Sequence, residues 1–252
     1  MPRSLRSRRV EALILRHSDW GEADRLLVLY TRELGKVRAV AKGVRKLSSR
    51  KAGHLEPFMQ SSLLLAQGKD LWIVTQAEMM EAFQPLRESL ELTGFAAYTA
   101  ELIDRFVVEE LADPSLYTLA QQTWKRLSEG EDALLVVRFF ELKLLDRVGF
   151  RPLLFQCAVC GEEIKPQDQY FSAAQGGAVC PRCGMNSPGA REISMNALKY
   201  LRHLQRSEWG TARRAQIPVH IHTEMQTMMH EYLAYLLERR LKSTEFLRQI
   251  IP

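Results

Sequence analysis

The 252-residue sequence has no apolar run approaching the length of a membrane-spanning helix, which needs ~18 residues or more. Its basic opening, MPRSLRSRRVEALIL, lacks the long apolar segment and small-residue cleavage site of a secretory signal. A cytoplasmic location is therefore expected, and cysteine stays reduced there. Cysteine is scarce, with four in the chain. Catalytic signatures are missing too. Gly184 and Gly189 have phosphate-loop spacing, but Ala190 and Arg191 follow instead of Lys and Ser or Thr. There is no G-x-S-x-G elbow, and His230-Glu231 lacks the second histidine of a metalloprotease. The six histidines are scattered. Internal repeats and low-complexity tracts are absent. These absences exclude membrane spanning and disfavour nucleotide-driven or hydrolytic chemistry.

What is present is concentrated. All four cysteines fall between Cys157 and Cys183, as the pairs Cys157/Cys160 and Cys180/Cys183 with nineteen residues between them. A C-x-x-C turn lets two thiolates reach one ion, and two such turns complete a tetrahedron. The separation suits a four-cysteine zinc site. Gly161 and Gly184 follow the pairs, where a tight knuckle calls for positive φ. Two disulfides would need an oxidising compartment. A redox pair needs one C-x-x-C in a βαβ setting, and a catalytic zinc keeps a position open. A nucleobase deaminase would pair H-x-E with P-C-x-x-C, but Gln156 and Val179 precede the two pairs. A structural zinc is expected.

Net charge of +5 conceals an asymmetry: residues 1–51 hold fourteen Lys or Arg against five acids, and the remainder twenty-one against twenty-five. A polyanion partner for the N-terminal part follows. That part reads as five short strands, Arg8–His17, Arg25–Thr31, Lys36–Lys42, Pro57–Ala66 and Leu71–Glu78, separated by turn residues. The simplest arrangement is a five-stranded oligonucleotide-binding (OB) barrel over residues 1–80. Leu26–Tyr30 is apolar throughout, which periodicity alone does not distinguish from a buried helix. Lys36, Arg38 and Lys42 share a strand face with Val40. The loop GVRKLSSRKAG adds Arg45, Lys46, Arg50 and Lys51. No acid occurs from Leu34 through Leu55, so sequence neighbours cannot neutralise these cations. A cationic loop beside a basic barrel face is suited to a phosphate backbone.

From Ser89 the apolar period becomes helical, and residues 81–252 read as an α-helical domain with a zinc module inserted at about 153–190. Phe95, Tyr98, Leu102 and Phe106 mark a first helix. Asp113-Pro114 caps a second, and a third runs from about Asp132 to Val148, stopping at Gly149. After the cysteines, Ser194 caps a helix holding Leu198, Leu201 and Leu204, and a last stripe with several methionines spans Val219–Leu241.

With these residues in view, the chain resembles the bacterial recombination and repair mediator family RecO. The resemblance rests on EADRLLVLYTRELGKVRAVAKGVRKLSSRKAGHLEPF, on GFRPLLFQCAVCG and on CPRC. It covers nearly the whole chain and implies an N-terminal OB barrel with a C-terminal helical domain. It also implies binding of single- and double-stranded DNA, strand annealing, and help in replacing single-strand-binding protein with RecA. The implied partners are RecR and the C-terminal tail of single-strand-binding protein. It carries Arg25, Lys36, Arg38, Lys42, Arg45, Lys46, Arg50 and Lys51 over as DNA contacts, and Cys157, Cys160, Cys180 and Cys183 as ligands of one structural Zn2+. No motif assigns the residues that receive the tail; Arg138, Lys143 and Arg147 along one helix suggest a place. DNA binding would make the cytoplasmic protein nucleoid-associated. Two readings of other classes stand beside this one: a zinc-stapled adaptor that recruits proteins without DNA chemistry, and a zinc-dependent enzyme.

Overall fold

The computed structural model describes residues 7–239 and 241–250, excluding the side chains of 248–250. Five strands form its first part: β1 Ser7–Trp20, β2 Asp24–Thr31, β3 Gly35–Ala41, β4 Gln60–Gln67 and β5 Trp72–Glu81. They close into a barrel in the order β1-β2-β3-β5-β4. Closure depends on the length of β1. Its first half pairs with β4 and its second half with β2, with a register shift between Ile14 and Arg16 that bends the strand. Parallel pairing of Ala39 with Trp72 and Val40 with Ile73 joins β3 to β5. Alternate residues point inward: Val10, Ala12 and Ile14 from β1, Leu27 and Leu29 from β2, Val37, Ala39 and Ala41 from β3, and Leu63 and Leu65 from β4. The five expected strands and the OB-type barrel are present.

The outer wall of the barrel is covered as well. Helices α1 Pro85–Glu88, α2 Leu90–Phe106 and α3 Pro114–Ser128 follow β5. Tyr30, on the outer face of β2, lies 6.0 Å from Tyr117 of α3 between ring centroids. This explains the unbroken run Leu26–Tyr30, a strand largely buried on both faces. The expected cap at Asp113 is present, and Ser89 caps α2 as well. Ser89 accepts from Leu92 N, and Asp113 accepts from the backbone N–H groups of Ser115 and Leu116, both at 3.0 Å. Such an N-cap stabilises a helix by about 1 kcal/mol.

By packing, the chain divides into two compact units. One holds residues through Glu131 with the described residues from Phe246; the other is Asp132–Glu245. Residue 80 lies inside the first unit, within which α2 packs against β1 and α3. The second unit contains α4 Ala133–Arg147, strands β6 Gln169–Ser172 and β7 Gly177–Val179, α5 Pro181–Gly184, β8 Arg191–Ile193, α6 Met195–Arg206, α7 Trp209–Ala212 and α8 Val219–Leu236. α9 Lys242–Ile250 spans the division at Phe246. The stripe expected to run to Leu241 stops at Leu236, and Glu238 then takes φ +53°. The sequence signal missed the sheet β7-β6-β8, whose strands are three or four residues long.

Candidate nucleic-acid interface and metal centre

The basic loop between β3 and β4 is docked on the β1–β2 turn. Gly43 N donates to Asp24 Oδ1 at 2.7 Å, Arg45 N to Ala23 O at 2.9 Å, and the Arg45 guanidinium reaches Glu22 O. Internally, Lys46 N donates to Gly43 O and Ser49 N to Lys46 O. Lys51 Nζ donates to Lys42 O at 3.2 Å and Val74 O at 3.0 Å, which clasps the loop shut against β5. Burial holds the Lys51 ammonium below the usual lysine range, against a smaller opposing effect of Asp24.

The eight candidate DNA contacts separate by environment. Lys36 is buried, 7% exposed, and donates to Asp104 O at 2.5 Å with the Asp104 carboxylate 3.6 Å away. It anchors α2 to the barrel and is not available to a ligand. Arg25 is held by Glu56 at 2.8 Å, with His17 on the other carboxylate oxygen at 3.2 Å. Burial pushes the Glu56 carboxyl up, but hydrogen bonds and charge from Arg25 and His17 bring it below its ordinary value. Lys51 is the clasp. Arg38 pairs with Glu109 at 3.1 Å and Arg45 with Asp19 at 3.2 Å. Such exposed pairs are worth about 0–1 kcal/mol and can exchange for a phosphate. Lys42, Lys46 and Arg50 are exposed, and their side chains make no ion pair or hydrogen bond among the described residues. The acids that neutralise the others come largely from distant parts of the sequence: Asp104 and Glu109 lie beyond the barrel.

Two exposed apolar residues adjoin these cations, and neither was singled out by sequence. Trp20, 51% exposed, ends β1 at the turn on which the loop docks, and Leu47 projects from the loop itself. A lone Trp at the end of a strand gives no periodic signal. Its pairing with a basic loop emerges only once β1 and the loop meet.

In the second unit, β7 brings the two cysteine pairs together. Ala178 N donates to Leu153 O at 2.7 Å, Ala158 N donates to Ala178 O at 2.8 Å, and β7 leads directly into Cys180. Within the first knuckle, Gly161 N donates to Cys157 O at 2.9 Å and Gly161 takes φ +75°, as the spacing predicts. Gly184 differs. It ends α5 without positive φ, and it is required because a Cβ there would collide with the Tyr170 ring. The ligand atoms of Cys157, Cys160, Cys180 and Cys183 all lie within 4.8 Å of one another. Four thiolates about 2.3 Å from one ion sit about 3.8 Å apart, and the Cys160 and Cys180 sulfurs are separated by 3.9 Å. The four residues fit a metal ion. Burial pushes the Cys157 thiol up, but N–H donation from Cys160, Cys180 and Val159 outweighs it and brings the group down to about 6. Arg182 bridges to Glu162 across the two knuckles at 3.0 Å. The helix carrying the suggested tail-binding cations is less open than its sequence implies. Arg138 is buried against Glu141, and Lys143 Nζ donates to Gln205 O at 3.0 Å.

A closed OB-type barrel with a cationic loop, followed by a helical unit built around a four-cysteine centre, defines the class: a barrel-and-helix protein equipped to meet a polyanion and to hold a metal ion. Family models for the N-terminal and C-terminal parts of recombination protein O match residues 5–83 and 87–245. The chain is 41% identical to the DNA repair protein RecO of Roseiflexus sp. (strain RS-1) over 242 residues, covering 96% of this chain and 85% of that one. It is 36% identical to the DNA repair protein RecO of Dehalococcoides mccartyi (strain ATCC BAA-2266 / KCTC 15142 / 195) over 235 residues, covering 93% and 92%. The corresponding protein of Desulforudis audaxviator (strain MP104C) is 38% identical over 243 residues, covering 95% and 96%. The chain belongs to the RecO family of DNA repair proteins. The two family models meet between residues 83 and 87, whereas packing divides the chain after Glu131. No helix among the described residues is long and apolar enough to cross a membrane.

Proposed function

We propose that this chain binds single- and double-stranded DNA through its barrel and anneals complementary strands without a catalytic step. With RecR it assists loading of RecA onto DNA coated by single-strand-binding protein, whose C-terminal tail the helical part receives. It acts in the cytoplasm, on nucleoid DNA. One observation carries the DNA reading: Lys42, Lys46 and Arg50 project without acidic partners from a loop docked beside the exposed Trp20. Cations that track phosphates, with an aromatic face for bases, are how single strands are held without sequence preference. Annealing needs two polyanions brought together, and a basic surface lowers their repulsion while leaving base edges free. The four cysteines hold one Zn2+ with a filled coordination shell, which staples the module rather than activating water.

The testing experiment is a fluorescence-anisotropy titration of labelled single-stranded DNA across a salt series. Steeply salt-dependent binding is the expected result. No binding at low salt would leave a zinc-stapled adaptor as the better description.

A further inference from the structure

The second unit carries a basic face that the barrel reading does not use. Helix α6, MNALKYLRHLQR, contains Lys199, Arg202, His203 and Arg206 and no acid. These positions recur at i, i+3, i+4 and i+7 and so share one side, while Ala197, Leu198, Leu201 and Leu204 are buried on the other. The flanking sequence is basic as well: residues 181–220 hold seven Lys or Arg against two acids. None of the side chains of Lys199, Arg202 and Arg206 forms an ion pair with a carboxylate among the described residues.

Like charges one turn apart weaken a helix by about 0.2–0.5 kcal/mol per pair, and α6 has such a pair at 202/206. Near a helix C-terminus the dipole compensates cations, which accounts for His203 and Arg206. It does not account for Lys199 and Arg202, which lie further from that end. What holds the guanidinium groups is an aromatic ring. Arg206 lies 3.7 Å and Arg202 5.1 Å from the centroid of Phe155. Arg202 Nε donates to Leu154 O at 2.7 Å, while its Nη2 has no hydrogen-bond partner. Burial and the Arg206 charge both disfavour the charged form of Arg202, and Glu163 opposes them more weakly. A guanidinium stacked on a ring keeps its in-plane donors for a phosphate; the exposed Arg206 presents them, whereas the Arg202 Nη2 is buried. Two more cations converge on the last turn: Lys143 on Gln205 O, and Arg151 on Gln205 Oε1 at 3.5 Å.

We infer that the outward face of α6, Lys199, Arg202, His203 and Arg206 with Phe155 beneath the arginines, is a second nucleic-acid-binding face that grips the phosphate backbone of a separate strand. The inference rests on the DNA reading above. From Lys199 to Arg206 the row extends about 10 Å along the helix, against ~3.4 Å per nucleotide along a duplex strand, so it spans several phosphates. Arg clusters also receive acidic peptides, but cations set in one row along a helix axis suit the regular spacing of a phosphate backbone, and the peptide is kept as an outcome of the test. Two cationic faces on one chain would hold two strands at once.

The test uses the full chain with two short, non-complementary, differently coloured oligonucleotides, and counts strands retained per chain by two-colour single-molecule detection. Wild type should retain both colours. A Lys199→Gln, Arg206→Gln variant should retain one, and should anneal complementary strands about tenfold more slowly, given the salt slope carried by each phosphate contact. Lys199→Arg with Arg206 kept should retain both readouts, and a melting temperature of the glutamine variant matching wild type separates lost charge from lost folding. A folded glutamine variant that still retains both strands and anneals at the wild-type rate overturns the inference. So does one that keeps both strands but loses binding to a labelled poly-glutamate peptide, since the face would then serve an acidic partner. If wild type retains neither strand, it is the DNA reading of the barrel that has failed.

Discussion

Replacing Lys42, Lys46 and Arg50 together by glutamine separates phosphate-tracking cations from cations that hold the fold. None of the three side chains has a partner among the described residues, so folding stability should stay within about 0.5 kcal/mol per site. Each phosphate contact on a single strand contributes about 0.7 to the slope of log affinity against log salt. Three lost contacts should flatten the slope by about 2. Between 50 and 200 mM salt, a fourfold change, wild type should then lose about sixteenfold more affinity than the variant. The assay is anisotropy of a labelled oligonucleotide across that series, with thermal melts on both proteins. Lys36→Gln is the opposing control. It removes a buried cation bound to Asp104, and leaving that site unsatisfied should cost about 1–3 kcal/mol. Its melting temperature should fall while the salt slope stays at the wild-type value. An unchanged slope in the triple variant, or a flattened slope in a fully stable Lys36 variant, would refute the reasoning.

Trp20→Ala should weaken single-stranded binding about tenfold, as expected for loss of one stacked base, and leave duplex binding within about twofold; parallel titrations with single- and double-stranded probes check it. Cys180→Ser, or a strong chelator, should release one zinc ion per chain by metal analysis. It should also unfold the segment around β6–β8, seen as fast amide exchange, because structural zinc binding is itself folding free energy; the barrel should keep binding DNA. His222 is buried, and burial, with Arg138 adding and Asp132 opposing, holds its imidazole below the ordinary 6.5. The unfolded chain therefore binds a proton that the folded one resists. Stability present above about pH 6.5 should decline as pH falls below it. His222→Gln should flatten that decline in denaturant titrations between pH 7.5 and 5.5.

Much of this was legible in one dimension because the signals are local. Turn residues bounded the five strands, the side chains of Asp113 and Ser194 marked helix starts, and two C-x-x-C turns with a fixed separation marked the metal centre. What failed to show was long-range pairing. Residues 34–55 contain no acid, which reads as an unneutralised surface. In the fold, Asp104 and Glu109 reach Lys36 and Arg38, Glu56 reaches Arg25, and Asp19 reaches Arg45. Charge along the chain is thus a poor guide to charge on a surface, since a closed barrel brings its edges and covering helices against residues far apart in sequence. The same geometry works in the other direction. Lys199, Arg202 and Arg206 are spaced along one helix outside the N-terminal excess of positive charge, and they attracted no notice in the sequence. In the fold they emerge unpaired on one face, seated on Phe155. A cation in this protein is free to meet DNA when its side chain has no carboxylate in space, and by that criterion three of the eight barrel candidates and a helix outside the barrel are the residues to change first.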